Sequence, residues 1–332
     1  MAYCVRARCE TGMADGGWTD QLIATVNGAK RAAEKHANNR ERMHIDAIEA
    51  WANGYFQKSL GFLEIILREH PRDIYALQFA HHMDLNTGNS ASLRDRIARA
   101  LTEYDEATPG YGYVLGMYAF GLEECDEYAR AEDTGHKALE FCPDDVWAIH
   151  AVAHVYEMQG RHQKGIDWYE SREMVWALGN EFATHNWWHV ALFNLDLENH
   201  QRVLEIFDSS MAGHRAPLQI LDASALLWRM HLLNWDVGDR WNSLADRWEQ
   251  ILPNEGFYCF YDCHALMAYV ATERHEQIRL TLDMLERASL GRNDCAATIH
   301  GVGLPVVKGL AAFGNRRYAE ATEILSRIRH RG

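Results

Sequence analysis

Four histidines form two pairs with the same internal spacing. His150 and His154 are four residues apart, and so are His185 and His189. Residues four apart on an α-helix project from the same face, about one turn apart. The offsets from 150 to 185 and from 154 to 189 are both 35 residues, so two helices of a regular repeat would bring the pairs side by side. Imidazoles arranged in this way suit a transition metal ion or an acid–base role.

The histidine pairs leave three interpretations open. The imidazoles could hydrogen-bond one another, backbone or water in a hydrated groove. They could hold Zn, Fe, Cu or Ni, with Glu157 nearby and an open coordination position for catalysis. One histidine could instead act as general base or hydrogen-bond partner to a bound organic molecule. The HExxH motif of zinc proteases is ruled out, because Ala151 and Val152 follow His150.

The catalytic candidates are therefore one glutamate and four histidines, and the same histidines are the metal candidates. These residues are His150, His154, His185, His189 and Glu157. Other side chains of the same repeats could bind a ligand, because Tyr and Trp rings have polar edges. An Asp and an Arg seven apart could orient a histidine, clamp a carboxylate or form a salt bridge. The ligand-binding candidates are His82, Tyr111, Tyr113, Trp188, Asp222, Arg229 and His264.

Composition limits the classes of function. The 332 residues include 33 basic and 47 acidic side chains, a net charge of −14, which argues against nucleic acid as a partner. Without a run of 18 apolar residues, the chain is not expected to cross or bind a membrane. Its first residues lack the apolar core of a secretory signal. An odd number of cysteines, seven, without metal-ribbon spacing predicts free thiols and a cytoplasmic location.

The elements that would position these residues are helices. Six prolines in 332 residues, with apolar residues three and four apart, predict an almost wholly helical chain. Within residues 140–170, Asp145 can cap a helix that ends at Gly160, and a second helix carries Gly165 back toward the first. This pattern resembles a tetratricopeptide repeat (TPR).

The pattern recurs along the chain. The first helices of successive pairs are predicted to begin near residues 40, 74, 112, 146, 184, 222, 259 and 302, at intervals of 34 to 43 residues. Small residues share one position in first helices and one in second helices, and prolines share the position after second helices. The residues in these three positions are Ala119, Ala153 and Ala191; Ala131, Gly165 and Ala321; and Pro71, Pro143 and Pro253.

We therefore predict an all-α, TPR-like solenoid of about eight helix-turn-helix pairs that form a right-handed superhelix. Residues 39–332 are expected to form a single continuous domain. Residues 1–38 are expected to be an N-terminal segment, partly irregular or with one short helix near 20–36. In such repeats the first helix lines the concave surface, so the candidate histidines are expected to face a shared groove.

Five segments go beyond the generic repeat pattern. They are PGYGYVLGMYAFGLEE (109–124), HAVAHVYEMQG (150–160), HNWWHVALF (185–193), LDASALLWRM (221–230) and GLPVVKGLAAFG (303–314). Together they resemble a bacterial member of the tetratricopeptide repeat protein 38 family over roughly residues 38–330. The resemblance implies an all-helical repeat fold and no established activity. Relative to that family, the helices before residue 38 look abbreviated. The segment after Ile328 is missing, so the last pair is expected to be uncapped or completed by a partner.

Two classes of function follow from these residues. In the first, a His-, Trp- and Tyr-rich pocket on the concave face binds a small molecule, with a metal and a hydrolytic, lyase or oxidative step as options. Glu157 would then relay protons and Arg229 would orient an anionic group. In the second, the chain is a non-enzymatic scaffold that binds a peptide or protein partner in its groove. Peptide-binding grooves usually carry Lys, Arg and Asn, which favours the first class. The sequence leaves enzymatic activity and homo-oligomer formation open.

Overall fold

A computed structural model of the protein describes residues 1–10, 20–178, 182–214, 216–251 and 256–330. Within these ranges the regular structure is entirely helical, without a strand. The helices up to residue 170 are α1 (Ala2–Glu10), α2 (Asp20–His36), α3 (Asn39–Ala52), α4 (Phe56–Glu69), α5 (Ile74–Asn86), α6 (Ser90–Leu101), α7 (Tyr111–Glu123), α8 (Tyr128–Phe141), α9 (Val146–Met158) and α10 (His162–Glu170). The helices after residue 170 are α11 (Glu173–Trp176), α12 (Ala183–Asp196), α13 (His200–Ser210), α14 (Pro217–Leu232), α15 (Arg240–Ile251), α16 (Cys259–Ala271), α17 (His275–Ala288), α18 (Asp294–Thr298), α19 (Leu304–Gly314) and α20 (Tyr318–Ser326).

The helices form eight consecutive pairs, which confirms the predicted all-α, TPR-like class. The pairs are α3–α4, α5–α6, α7–α8, α9–α10, α12–α13, α14–α15, α16–α17 and α19–α20. Seven of the eight first helices begin within two residues of the predicted position. The exception is α14, which begins at Pro217 rather than near 222. Proline is favoured at the first position of a helix because its fixed φ and missing N–H cost nothing there.

Some helical segments lie outside the pairs. Helix α2 occupies the range predicted for a short N-terminal helix, and α1 precedes it. A π-helical turn, Ile299–Gly303, connects α18 to α19. The continuous helix Asp294–Gly314 is long and apolar enough to cross a membrane by those two criteria. It packs against α16 and α17, as a core helix of a folded domain also does.

Local sequence signals set the ends of α9. Asp145 precedes the helix, and its Oδ1 accepts a hydrogen bond from Trp147 N at 3.0 Å, the contact expected of an N-cap. Gly160 follows the helix with φ +66°, a left-handed conformation that glycine adopts without strain. Both predictions made for this helix are confirmed.

The small residues allow neighbouring helices to approach closely. Ala119, Ala153 and Ala191 are fully buried at 0% exposure. In the second helices, a Cβ added to Gly165 would lie 2.3–2.6 Å from ring atoms of Phe193. Prolines stand two residues after α4 and α8, at positions 71 and 143. The third proline of that position, Pro253, lies outside the described residues.

The described chain divides into two compact units. Unit 1 consists of Met1–Lys35, Ile48–Ser59 and Phe207–Gly332, and unit 2 of His36–Ala47 and Leu60–Ile206. Unit 1 includes contacts between distant parts of the sequence, because Asp294 N donates to Gly54 O at 2.9 Å. Asn293 Nδ2 likewise donates to Asn53 O at 2.9 Å. The single continuous domain over 39–332 stays a prediction.

Candidate functional site

Two helices of unit 2 bring four imidazoles together. Helix α9 carries His150 and His154, and α12 carries His185 and His189. We call these residues the four-histidine group. One ligand atom from each lies within 4.8 Å of the others. The spacing of four residues and the offset of 35 therefore have the spatial consequence that the sequence predicts.

The Nε2 atoms face one another. His189 Nε2 lies 3.1 Å from His150 Nε2 and 3.2 Å from His185 Nε2. His150 and His185 complete a triangle, with their Nε2 atoms 3.1 Å apart. The fourth nitrogen, His154 Nε2, is 3.1 Å from His189 Nε2. His189 therefore has three imidazole nitrogens around a single ring nitrogen.

Carboxylates contact the opposite side of two of these rings. His189 Nδ1 lies 2.7 Å from Glu157 Oε2, and a carboxylate can only accept, so Nδ1 carries the proton. His154 Nδ1 lies 3.3 Å from Glu123 Oε2. Glu123, Glu124 and His154 form a second group whose ligand atoms lie within 4.8 Å of one another. His154 thus belongs to both groups.

Burial and charge affect the imidazoles differently. Burial is the main cause that lowers the pKa of His189 to about 3, and the neighbouring His154 charge acts in the same direction. Burial also places the pKa of His150 well below its ordinary value, with the other three imidazoles acting in the same direction. Burial opposes protonation of His154 too, but the carboxylates of Glu123, Glu157 and Glu124 together outweigh it and raise the pKa of His154. His150 and His189 are therefore neutral imidazoles, the form that binds a metal ion.

Aromatic rings enclose the four-histidine group. The Phe120 ring stacks on His150 with centroids 5.5 Å apart. Phe182 contacts His150 at 4.9 Å and His185 at 4.8 Å. Trp188, a predicted ligand-binding residue, stacks on His185 at 5.3 Å. These rings hold the imidazoles in place and reduce the access of water.

Trp147 connects the four-histidine group to two more histidines. Its ring lies 5.3 Å from that of His150, and its Nε1 donates to His81 Nε2 at 3.2 Å. The predicted residue His82 contacts the same indole at 5.5 Å between centroids. His82 therefore lies beside the aromatic wall and is not a member of the four-histidine group.

Sequence reasoning missed Glu123, Glu124, Phe120 and Phe182. A signal for Glu123 was present, because it precedes Glu157 by 34 residues, one repeat. The phenylalanines carried no such signal. Apolar residues are common in every helix of the array, and only the packing shows which of them border the imidazoles.

The two predicted tyrosines contact residues other than the four histidines. Tyr111 packs against Phe141 with centroids 5.2 Å apart. Tyr113 is 45% exposed, and its hydroxyl lies 3.5 Å from Asp144 Oδ1. Their assignment to a ligand stays a prediction.

The remaining predicted residues, Asp222, Arg229 and His264, lie in unit 1. His264 Nδ1 donates to Phe260 O at 2.8 Å, and Arg229 Nη1 donates to Ala225 O at 3.1 Å. Burial lowers the pKa of His264 to about 4, with Asp222 and Arg229 acting on it in opposite directions. The three side chains thus interact electrostatically, and their role in ligand binding stays a prediction.

Comparison with known proteins does not assign the chain to a family. No protein-family model matches the chain. Among solved structures, the chain is similar to one in the "Crystal structure of APC/C hetero-tetramer Cut9-Hcn1", with 14% sequence identity and a TM-score of 0.49. The similarity covers 97% of this chain and 60% of that chain. This chain therefore spans less than two thirds of that chain's length, and the similarity carries no functional argument.

Proposed function

We propose that this chain binds a first-row transition metal ion through the Nε2 atoms of the four-histidine group and uses it to act on a small polar molecule. The observation that carries the proposal is the convergence of those nitrogens, at separations of 3.1–3.2 Å around His189 Nε2. An ion in this position would act as a Lewis acid on an oxygen atom of the bound molecule.

The tautomer of His189 is the first argument. Its Nδ1 proton is directed at Glu157, so its Nε2 has a lone pair and no proton. One lone pair accepts one well-directed hydrogen bond, whereas three imidazole nitrogens lie within 3.2 Å of it. A cation shared by these nitrogens would account for the arrangement. A carboxylate that binds the far nitrogen of a metal-ligating histidine is also the usual way in which such a ring is oriented.

The distances are the second argument. A triangle of nitrogens with sides of 3.1–3.2 Å can hold an ion at ordinary metal–nitrogen distances of about 2.0–2.1 Å. The angle between two such bonds is then about 100°, between the values for octahedral and tetrahedral coordination. Zn, Fe, Cu and Ni all accept imidazole ligands.

The surroundings are suited to a small molecule. Aromatic rings enclose part of the group, while the Glu157 side chain is 26% exposed and His154 is 23% exposed. A polar molecule could therefore approach from the side of these two residues. Glu157 would orient His189 and could receive a proton from the bound molecule. The reaction class remains a hydrolytic, lyase or oxidative step on such a molecule.

The finer relationships of the chain are also proposals. The segments that resemble the tetratricopeptide repeat protein 38 family begin in or just before first helices of pairs, which supports a relationship to that family. The six described cysteines with free thiols, at positions 4, 125, 142, 259, 263 and 295, support a reducing compartment such as the cytoplasm.

Metal analysis tests the proposal. Tag-free protein, purified without added metal, is compared with the His189→Ala and His150→Ala variants by elemental analysis and by dialysis against Zn²⁺ or Co²⁺. The exposed His70 provides the control variant His70→Ala. We expect at least one ion per wild-type and His70→Ala chain, and the loss of one ion in each of the other variants.

A correctly folded wild-type protein that binds no more Zn²⁺, Co²⁺, Cu²⁺ or Ni²⁺ than His189→Ala would contradict the proposal. Circular dichroism would check folding. In that case the scaffold alternative, a peptide or protein partner in the groove, would be the next hypothesis to test.

A further inference from the structure

We infer that the chain has a second site for a divalent cation, formed by Glu123, Glu124 and Nδ1 of His154. This site goes beyond the four-histidine group and shares one imidazole with it. His154 directs Nε2 toward His189, at 3.1 Å, and Nδ1 toward Glu123, at 3.3 Å. A single ring would therefore connect two ions.

The geometry between His154 and Glu123 fits a shared ion. Their separation of 3.3 Å exceeds the usual hydrogen-bond distance of about 2.9–3.0 Å. Two ligands at about 2.1 Å from one ion, at an angle of about 105°, would have this separation. Glu123 Oε2 is buried, and its contact with His154 Nδ1 lacks the geometry of a hydrogen bond, although buried carboxylate oxygens normally accept one. A cation between the two atoms would bind both.

The local charge also favours a cation. Glu123 is the last residue of α7 and Glu124 is its C-cap, so both carboxylates stand at the negative end of the helix dipole. Glu123 is 5% exposed. One protonated imidazole, His154, could balance only one of the two negative charges. A divalent ion would balance both.

The ligand chemistry indicates the class of ion. Two carboxylates and one imidazole suit Zn²⁺, Mn²⁺ or Fe²⁺. For His154 to bind two ions, it must bind as the imidazolate, and its remaining N–H proton passes to solvent, as protons do when metals displace them from ligands. The four-histidine group would provide only nitrogen ligands, so the two sites would prefer different metal ions.

Ion stoichiometry at saturation tests the second site. The wild-type protein is equilibrated with Co²⁺, and bound cobalt is compared with that of Glu124→Gln and of the control Glu140→Gln, an exposed residue of α8. We expect two ions per chain in the wild type and in Glu140→Gln, and one in Glu124→Gln. Glu123→Gln should also bind one ion, because it removes another ligand of the same site.

The possible outcomes separate this inference from the proposed function. One ion in both the wild type and Glu124→Gln would overturn the second site while the four-histidine site stands. Two ions in Glu124→Gln would also overturn the second site, even if their affinity fell by the about 10–100-fold typical of losing a residue that only orients a ligand. No ion in the wild type would overturn both sites.

Discussion

At the scale of single residues, the role of a histidine in this protein depends on the partners of both of its ring nitrogens. The Nδ1 proton of His189 is directed at Glu157, 2.7 Å away, and this contact leaves Nε2 to face the other imidazoles. Neither histidine spacing nor burial alone would specify that orientation. The chemical state of a histidine depends on the partner of its second nitrogen, so Glu157 matters as much to the site as the ligands.

Asp262 of α16 offers a test at the same scale, by pH. Burial raises the pKa of Asp262 to about 7, against about 4 for an exposed Asp. The folded protein thus holds this proton more tightly than the unfolded chain. The stability contributed by the group is fully present below about pH 4 and is lost as the pH rises through about 7. Asp262→Asn carries no such group, so its stability relative to wild type should increase by about 2–3 kcal/mol from pH 5 to pH 8.

Urea unfolding of both proteins at the two pH values measures this difference. Asp133→Asn, at an exposed position, controls for the loss of one carboxylate. An equal difference in unfolding free energy between Asp262→Asn and wild type at pH 5 and pH 8 would contradict the prediction.

At the scale of helices, some glycines are required by close packing against a neighbouring helix, whereas others could be replaced without a clash. Gly165 of α10 faces Phe193 of α12, and an added Cβ would lie 2.3 Å from the ring. Phe193 is fully buried and has little room to move. Gly165→Ala should therefore lower the free energy of unfolding by about 1–3 kcal/mol, as overpacked cores do.

Gly61 of α4 is the matched control. A Cβ added there meets nothing within 4 Å, so Gly61→Ala should be neutral or stabilise by up to about 1 kcal/mol through helix propensity. Chemical denaturation of both variants measures the two effects. A Gly165→Ala protein as stable as Gly61→Ala would show that the α10–α12 contact is looser than described.

At the scale of the whole molecule, the division into two units predicts which helices a bound metal ion should stabilise. The four-histidine group lies entirely in unit 2. Zn²⁺ added to chelator-treated protein should slow amide hydrogen exchange in α12, by up to about 100-fold at a free ion concentration of 100 times Kd. Exchange in α14 and α16 of unit 1 should remain unchanged. Mass spectrometry of peptides from these helices makes the measurement.

The variant His189→Ala provides the control for that experiment, since it lacks the central ligand. The slowing in α12 should disappear in it. Equal slowing in His189→Ala, or slowing confined to unit 1, would contradict a metal site in the four-histidine group.

The sequence by itself determined the helices and much of the four-histidine group. Helix starts follow from caps and from a 34- to 43-residue period, and an offset of 35 residues places His150 next to His185 on neighbouring helices. Both are local or periodic signals, and they can be read from a sequence because each repeat packs against its neighbours in the same way. The small residues were predictable for the same reason.

Only the tertiary structure decided which other side chains meet the imidazoles. It brought Glu123 and Phe120 of α7 to the histidines of α9, left Tyr113 exposed, and placed His264 in unit 1. Periodicity gives the face of a helix on which a residue lies. It does not give the rotation and crossing angle of that helix against its neighbours, which depend on how the individual side chains pack.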